Sequence, residues 1–196
     1  MFNSLFKIVY FIEVLIAIVV RKIYTRKYIK LAVKTDRKTK TDILFLALNG
    51  IGMIIPIVYV FSSIFDFADY SAPKLIGWIG AVIFSFAICL LWRSHADLGK
   101  HFTYTLGIRE DHQLITNGVF KYIRHPMYAS HVCWAIAQIM LLHNWIAGYS
   151  FIVVLVPHTI FRVKSEEIMM IEQFGEIYKE YMKNTGRIMP RIGVKK

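Results

Sequence analysis

Apolar residues fall along this chain in long runs separated by short charged intervals, and the period of neither a soluble amphipathic helix nor a half-buried strand dominates. The first run, Leu5 to Val20, is interrupted by Lys7 and Glu13 and ends at Arg21-Lys22. A second extends from about Ile43 to Phe65 and contains Asn49, Gly50, Gly52 and Pro56, residues that membrane helices tolerate where neighbours approach closely. A third covers Leu75 to Trp92. After a polar interval from Arg93 to Met127, two further runs, Tyr128 to Leu142 and Trp145 to Phe161, are separated only by His143-Asn144. So short a connection predicts a tight antiparallel hairpin. In the tail from Arg162 to Lys196, Ile171, Phe174, Tyr178 and Tyr181 recur at steps of three or four. That spacing predicts an amphipathic helix, ended by Thr185-Gly186-Arg187 with Pro190 beyond.

Crossing ~30 Å of hydrocarbon takes roughly 20 apolar residues as helix, so these runs predict an all-α integral membrane protein. About five transmembrane helices are expected, the last two forming the hairpin, followed by a cytoplasmic amphipathic helix. With 56% hydrophobic and 19% charged residues among 196, composition excludes an ordinary soluble domain. The net charge of +11 does not point to nucleic acid, because the basic residues sit between apolar runs. Nine Lys or Arg lie in 21–40, five in 93–127 and eight in the tail, against only Lys7 and Lys74 elsewhere. By the positive-inside rule those three segments are cytoplasmic, the N-terminus is outside, and membrane lipids are the charged partner. The first run is a retained span rather than a cleaved signal, since its positive charge follows it and no small-residue cleavage site does. Glu13, costly at mid-membrane, is expected to be protonated or hydrogen-bonded between helices. Cys89 and Cys133 lack metal-ligand spacing and are expected to serve packing. Two regions follow: 1–92 with three membrane helices and a basic inner loop, and 93–196 carrying the chemistry.

Candidate chemistry gathers at Gly118 to Tyr128. Pro126 suits the first turn of a helix with His125 just outside it, and a helix N-terminus beside Arg124 and His125 suits a carboxylate or phosphate. An interfacial role is the simpler alternative, with Arg124 snorkelling to lipid phosphate and Tyr122 and Tyr128 in the aromatic belt. Topology places this corner on the same side as Arg162, Glu166 and Glu167. Arg162 and Glu166 are four residues apart on one helical face. Together these groups offer carboxylates to an ammonium or sulfonium and guanidinium to an acid, and Phe120, Tyr122 and Tyr128 add cation–π attraction.

Gly118 to Tyr128 ending in Arg-His-Pro-Met-Tyr, then Glu166-Glu167, then Phe174-Gly175 with Tyr178 and Tyr181, resembles the isoprenylcysteine carboxyl methyltransferase family and its phospholipid methyltransferase relatives. The likeness covers about Leu98 to Pro190. It implies an integral membrane enzyme that uses S-adenosylmethionine, yields S-adenosylhomocysteine and needs no metal. It further implies cofactor contacts at His112, Gln113, Leu114, Ile115, Phe120, Arg124, His125, Pro126, Tyr128 and Glu166, and a substrate-carboxylate contact at Arg162. Glu167 completes the acidic pair, so that Arg162, Glu166 and Glu167 form the catalytic group. Ser130 stands where many relatives have glycine and is expected to narrow the pocket. The implied acceptor is the carboxylate of an isoprenylated cysteine or similar lipid-linked acid. A phospholipid amine is the alternative acceptor and would require a base such as His112 or Glu167. A non-enzymatic transporter or scaffold, and a reductase related to membrane sterol reductases, are the remaining alternatives.

Overall fold

The computed structural model describes residues 2–28, 35–36, 39–99, 107–108 and 113–191. Helix α1 (Phe2–Tyr28), α2 (Lys40–Phe61), α3 (Lys74–Leu98), α4 (Pro126–Leu142), α5 (Ser150–Phe174) and α6 (Glu176–Asn184) make up nearly all of it. Two-residue strands β1 (Thr35–Asp36) and β2 (Gly107–Ile108) pair antiparallel and tie the first basic loop to the polar interval. The fold is therefore helical, as the apolar runs predict.

The helices alternate in direction. At one end Lys7, early in α1, donates to the Tyr59 carbonyl at the close of α2 and sits 3.6 Å from Asp66. At the other, Arg21, Leu46, Leu98, Pro126 and Arg162 surround one cavity, which brings together the later parts of α1 and α3, the middle of α5 and the starts of α2 and α4. Phe6, Tyr10, Phe84, Trp134, Leu141 and Phe151 fill the centre of the bundle. Gly80 lets α3 seat closely on α4, since a Cβ there would lie 2.9 Å from Met140 Cβ. Of the two α2 glycines, Gly52 makes such an approach, against the Ser150 carbonyl, whereas Gly50 meets nothing.

Helices α2 and α3 are long and apolar enough to cross a membrane, and α4 is apolar but shorter. Only 17% and 28% of the apolar windows of α2 and α3 are buried within the bundle, so their side chains face outward. An outward face of Ile43, Ile54, Val82 and Phe86 suits lipid rather than water. Glu13 meets this environment by accepting a hydrogen bond from Ser85 Oγ at 2.9 Å, between α1 and α3. Cys133 is partly buried against the core, but Cys89 is exposed on α3 and packs against nothing central.

Several boundaries differ from the apolar pattern. Helix α3 continues past Trp92 to Leu98, so the division at 92/93 falls inside it and Asp97 is helical. Helix α5 does not end at Phe161 but runs unbroken to Phe174. The expected amphipathic tail helix is thus split, at Gly175, whose φ of +56° favours glycine. In the hairpin His143 takes a left-handed conformation, and the turn extends to Tyr149 before α5 begins. Asn144 fastens this turn: its amide donates to the Phe65 carbonyl and to Asp69 Oδ1, both at 2.7 Å. Its Oδ1 accepts from the Ile146 and Ala147 amides at 3.0 and 2.8 Å.

Candidate functional site

A 3-10 turn over Gly118–Lys121 leads into the corner. Gly118 has φ +56°, and a Cβ there would lie 2.1 Å from Asp97 Oδ2. The Asp97 carboxylate needs that space because the same oxygen accepts from the Val119 amide at 2.8 Å. Helix α4 then starts with Pro126 in its first turn, as proline's fixed φ and missing donor allow. The segment after α6 lies alongside: the amides of Arg124 and His125 donate to the carbonyls of Gly186 and Arg187 at 2.8 and 3.0 Å. Tyr181 reaches from α6 to the Phe120 carbonyl.

The anion that meets Arg124 and His125 is the protein's own. Arg124 donates to Glu167 Oε1 through Nε at 3.1 Å and through a terminal nitrogen at 3.0 Å, while its other terminal nitrogen meets the Met182 and Thr185 carbonyls. Arg187 engages both Glu167 oxygens. His125 lies between the two acids, Nε2 3.3 Å from Glu167 Oε1 and Nδ1 3.6 Å from Glu166 Oε2. Burial pulls the His125 pKa down, but the hydrogen bonds and charges of Glu166 and Glu167 outweigh it, and the net shift is upward. For Glu167, beyond the apolar part of α5, burial works against ionisation, yet His125, Arg187 and Arg124 hold its pKa at about 2.

Glu166 is bound differently. Its Oε1 accepts from the Tyr128 hydroxyl at 2.7 Å and from Arg162 Nε at 3.1 Å. Arg162 is also 3.6 Å from Asp42 Oδ1, and Asp42 is fully buried at the start of α2, where it forms a capping box with Thr39. Arg162 therefore links α2 to α5.

Above these groups lies a cavity of about 290 Å³, near the lower bound of roughly 300 Å³ typical of small-molecule sites. Gln113, Leu114, Ile115, Phe120, Arg124, His125, Pro126, Tyr128, Arg162 and Glu166 all line it. Glu167 does not; it sits behind the wall, braced by its three cationic partners. Tyr122 is outside the lining and 55% exposed. Ser130 is also outside it, with its hydroxyl donated to the Met127 carbonyl at 2.7 Å. His112 lies outside the described residues.

The lining includes residues that spacing along the chain does not single out. Leu46, Met53, Phe151 and Leu155 form an apolar wall between α2 and α5, with Asn49 and His158 among them. His158 had one signal available: it precedes Arg162 by a single helical turn. Tyr178 and Tyr181 of α6 close the polar side. Acidic and basic groups thus share one wall and aliphatic groups the other, which suits a molecule bearing both charges next to a lipid chain.

Residues 78–172 match the model of the "Isoprenylcysteine carboxyl methyltransferase (ICMT) family". Protein-S-isoprenylcysteine O-methyltransferase of Homo sapiens is 33% identical over 128 residues, covering 62% of this chain and 45% of that protein. The Dictyostelium discoideum protein of the same name is 31% identical over 117 residues, covering 59% and 49%. Protein-S-isoprenylcysteine O-methyltransferase B of Arabidopsis thaliana is 26% identical over 174 residues, covering 86% and 88%. The chain spans about half the length of the first two. In fold it resembles a solved eukaryotic intramembrane Ras methyltransferase ICMT, with a TM-score of 0.53 and 21% identity over 81% of this chain and 56% of that one.

Proposed function

We propose, from the match of residues 78–172 to the isoprenylcysteine carboxyl methyltransferase family model, that the chain is a membrane enzyme that methylates the carboxylate of an isoprenylated cysteine or a similar lipid-linked acid. The donor is S-adenosylmethionine, which when bound would supply a sulfonium methyl group for transfer to a carboxylate oxygen, leaving S-adenosylhomocysteine as the neutral thioether. The observation that carries this reading is the two-sided cavity, with Glu166, His125 and Arg162 on one wall and Leu46, Met53 and Leu155 on the other.

The residues present fit the donor. Glu166, held by Tyr128 and Arg162, presents a carboxylate to a cationic amino group. The aromatic side chains of Phe120, Tyr128 and Tyr178 in the lining suit a sulfonium. His125 and Arg124 hold the corner through Glu167 rather than facing an exogenous anion alone. Arg162 is the cation for the acceptor's carboxylate, anchored by Asp42 and Glu166 so that its guanidinium is fixed before the acceptor arrives. A carboxylate is already ionised at neutral pH, so the work left to these side chains is alignment, worth ~7–11 kcal/mol in well-oriented systems. An amine acceptor needs a base instead, and Glu167 at about 2 is too weak for that task.

The positive-inside rule applied to the basic segments supports a site on the cytoplasmic side, with the apolar lengths of α1 to α5 as five spans, the polar end of α5 beyond the bilayer and α6 at that surface. In this arrangement residues 1–92 supply the lipid-facing frame and 93–196 the reacting groups. Purified protein given labelled S-adenosylmethionine and farnesylated cysteine should form a base-labile methyl ester, which releases labelled methanol when treated with alkali. A base-stable product would move the assignment to amine methylation, and an absence of both turnover and saturable heat with S-adenosylhomocysteine would leave a scaffold or transporter.

A further inference from the structure

Asn49 and His158 form a pair that the account above leaves unused. The Asn49 Nδ2 donates to the Phe45 carbonyl at 2.7 Å, which fixes which end of the amide is nitrogen, and the same atom lies 2.8 Å from His158 Nδ1. An amide nitrogen has no lone pair to offer, so Nδ1 must be the acceptor and the ring proton sits on Nε2. The Phe45 ring stacks on the imidazole at 5.5 Å and sets its plane. His158 is 8% exposed and lines the cavity, and its Nε2 has no hydrogen-bond partner among the described residues. A sealed donor with nothing to donate to is costly, unless a ligand completes it.

We propose that His158 Nε2–H donates to the acceptor's carboxylate beside Arg162, one turn along the same face of α5, and that Asn49 is a positioning residue that sets the tautomer. The pair then selects acids over amines: an ammonium brings only N–H donors to an N–H and a guanidinium, while the neighbouring Glu166 carboxylate is committed to Arg162, Tyr128 and the amino group of the methyl donor. This rests on the methyltransferase reading and names the determinant of its acceptor class.

The test uses the full-length protein in lipid nanodiscs, measuring KM for farnesylated cysteine and affinity for S-adenosylhomocysteine in the wild type, His158→Leu, His158→Gln, Asn49→Leu and the double variant. His158→Leu should raise KM roughly ten- to hundredfold, the range for a hydrogen bond to a charged group, with S-adenosylhomocysteine affinity unchanged. His158→Gln, whose amide nitrogen can replace Nε2–H, should recover most of that loss. Asn49→Leu should raise KM in the same direction but add little to His158→Leu, because both act through one proton. A wild-type KM in His158→Leu overturns the proposal, as does equal loss of both affinities in the Leu and Gln variants. A wild type that binds no S-adenosylhomocysteine and methylates no lipid acid overturns the methyltransferase reading itself, and this inference with it.

Discussion

Arg124 and Glu167, 43 positions apart in the chain, meet at 3.0 Å with side chains only 7% and 5% exposed. Their pairing joins the loop before α4 to the middle of α5 behind the cavity wall. Removing one member strands the other in a buried place, a loss of about 3–5 kcal/mol in comparable pairs. Glu167→Ala should lower the melting temperature sharply and weaken S-adenosylhomocysteine binding secondarily; melting and titration of the same sample separate the two effects.

The same cluster sets a pH window. Glu167 binds its proton less readily in the folded chain, at about 2 against an ordinary 4.5, so its contribution is full above pH 4.5 and is lost as pH falls through 2. His125 is shifted the other way, so its contribution is full below its ordinary 6.5 and fades as pH rises through the higher folded value. Stability from this cluster should be greatest between those ordinary values. Melting across pH should show the alkaline decline removed in His125→Gln and the acid decline retained, since Arg124 and Arg187 still hold Glu167.

Tyr128 donates to Glu166 at 2.7 Å. Tyr128→Phe keeps the ring and removes this bond, worth about 1.5–3 kcal/mol for a charged acceptor. S-adenosylhomocysteine affinity should fall roughly tenfold or more. Arg162→Ala should instead act mainly on KM for the lipid acid, and isothermal titration set beside initial rates tells these outcomes apart.

Gly118→Ala should displace the Asp97 carboxylate and strain a left-handed backbone. The cost is about 1 kcal/mol or more from conformation alone, before the lost bond to Val119 is counted. Faster amide exchange at Val119 and Phe120, together with weaker cofactor binding, is the expected signature.

Asn144 lies at the end of the bundle opposite the cavity and makes four hydrogen bonds there. Asn144→Ala should destabilise the fold by about 1–3 kcal/mol while leaving KM for both substrates at the wild-type value. A changed KM would mean that the hairpin turn is coupled to the site.

The helical architecture was legible because the apolar runs are long, those at 43–65 and 75–92 approaching a membrane's width, and the corner because Arg124, His125, Pro126 and Tyr128 fall within five consecutive positions. Arg162 and Glu166 were legible as a pair from their four-residue spacing. Where α3 and α5 end was not, because polarity changes at Arg93 and Arg162 while helix formation does not: the Val163–Met170 stretch is made of residues that a helix accommodates readily. The place of Glu167 behind the wall was hidden for a related reason, since one step of a helix turns a side chain by about 100°, separating it from Glu166. Asn49 meets His158 only through the packing of α2 on α5, which no spacing within either segment encodes.

On the proposed function, the continuous course of α5 from Ser150 to Phe174 would tie the methyl transfer to the bilayer. Its 25 residues, Pro157 among them, extend about 37 Å, with exposed Val153 and Ile160 in the first half and Glu166 four residues past the midpoint. A membrane too thin or too thick for this helix tilts it, and the tilt swings the acid relative to Tyr128 like the short arm of a lever. Turnover in nanodiscs of graded acyl length should therefore peak at one thickness, making the lipid environment a setting of the catalyst as well as its container.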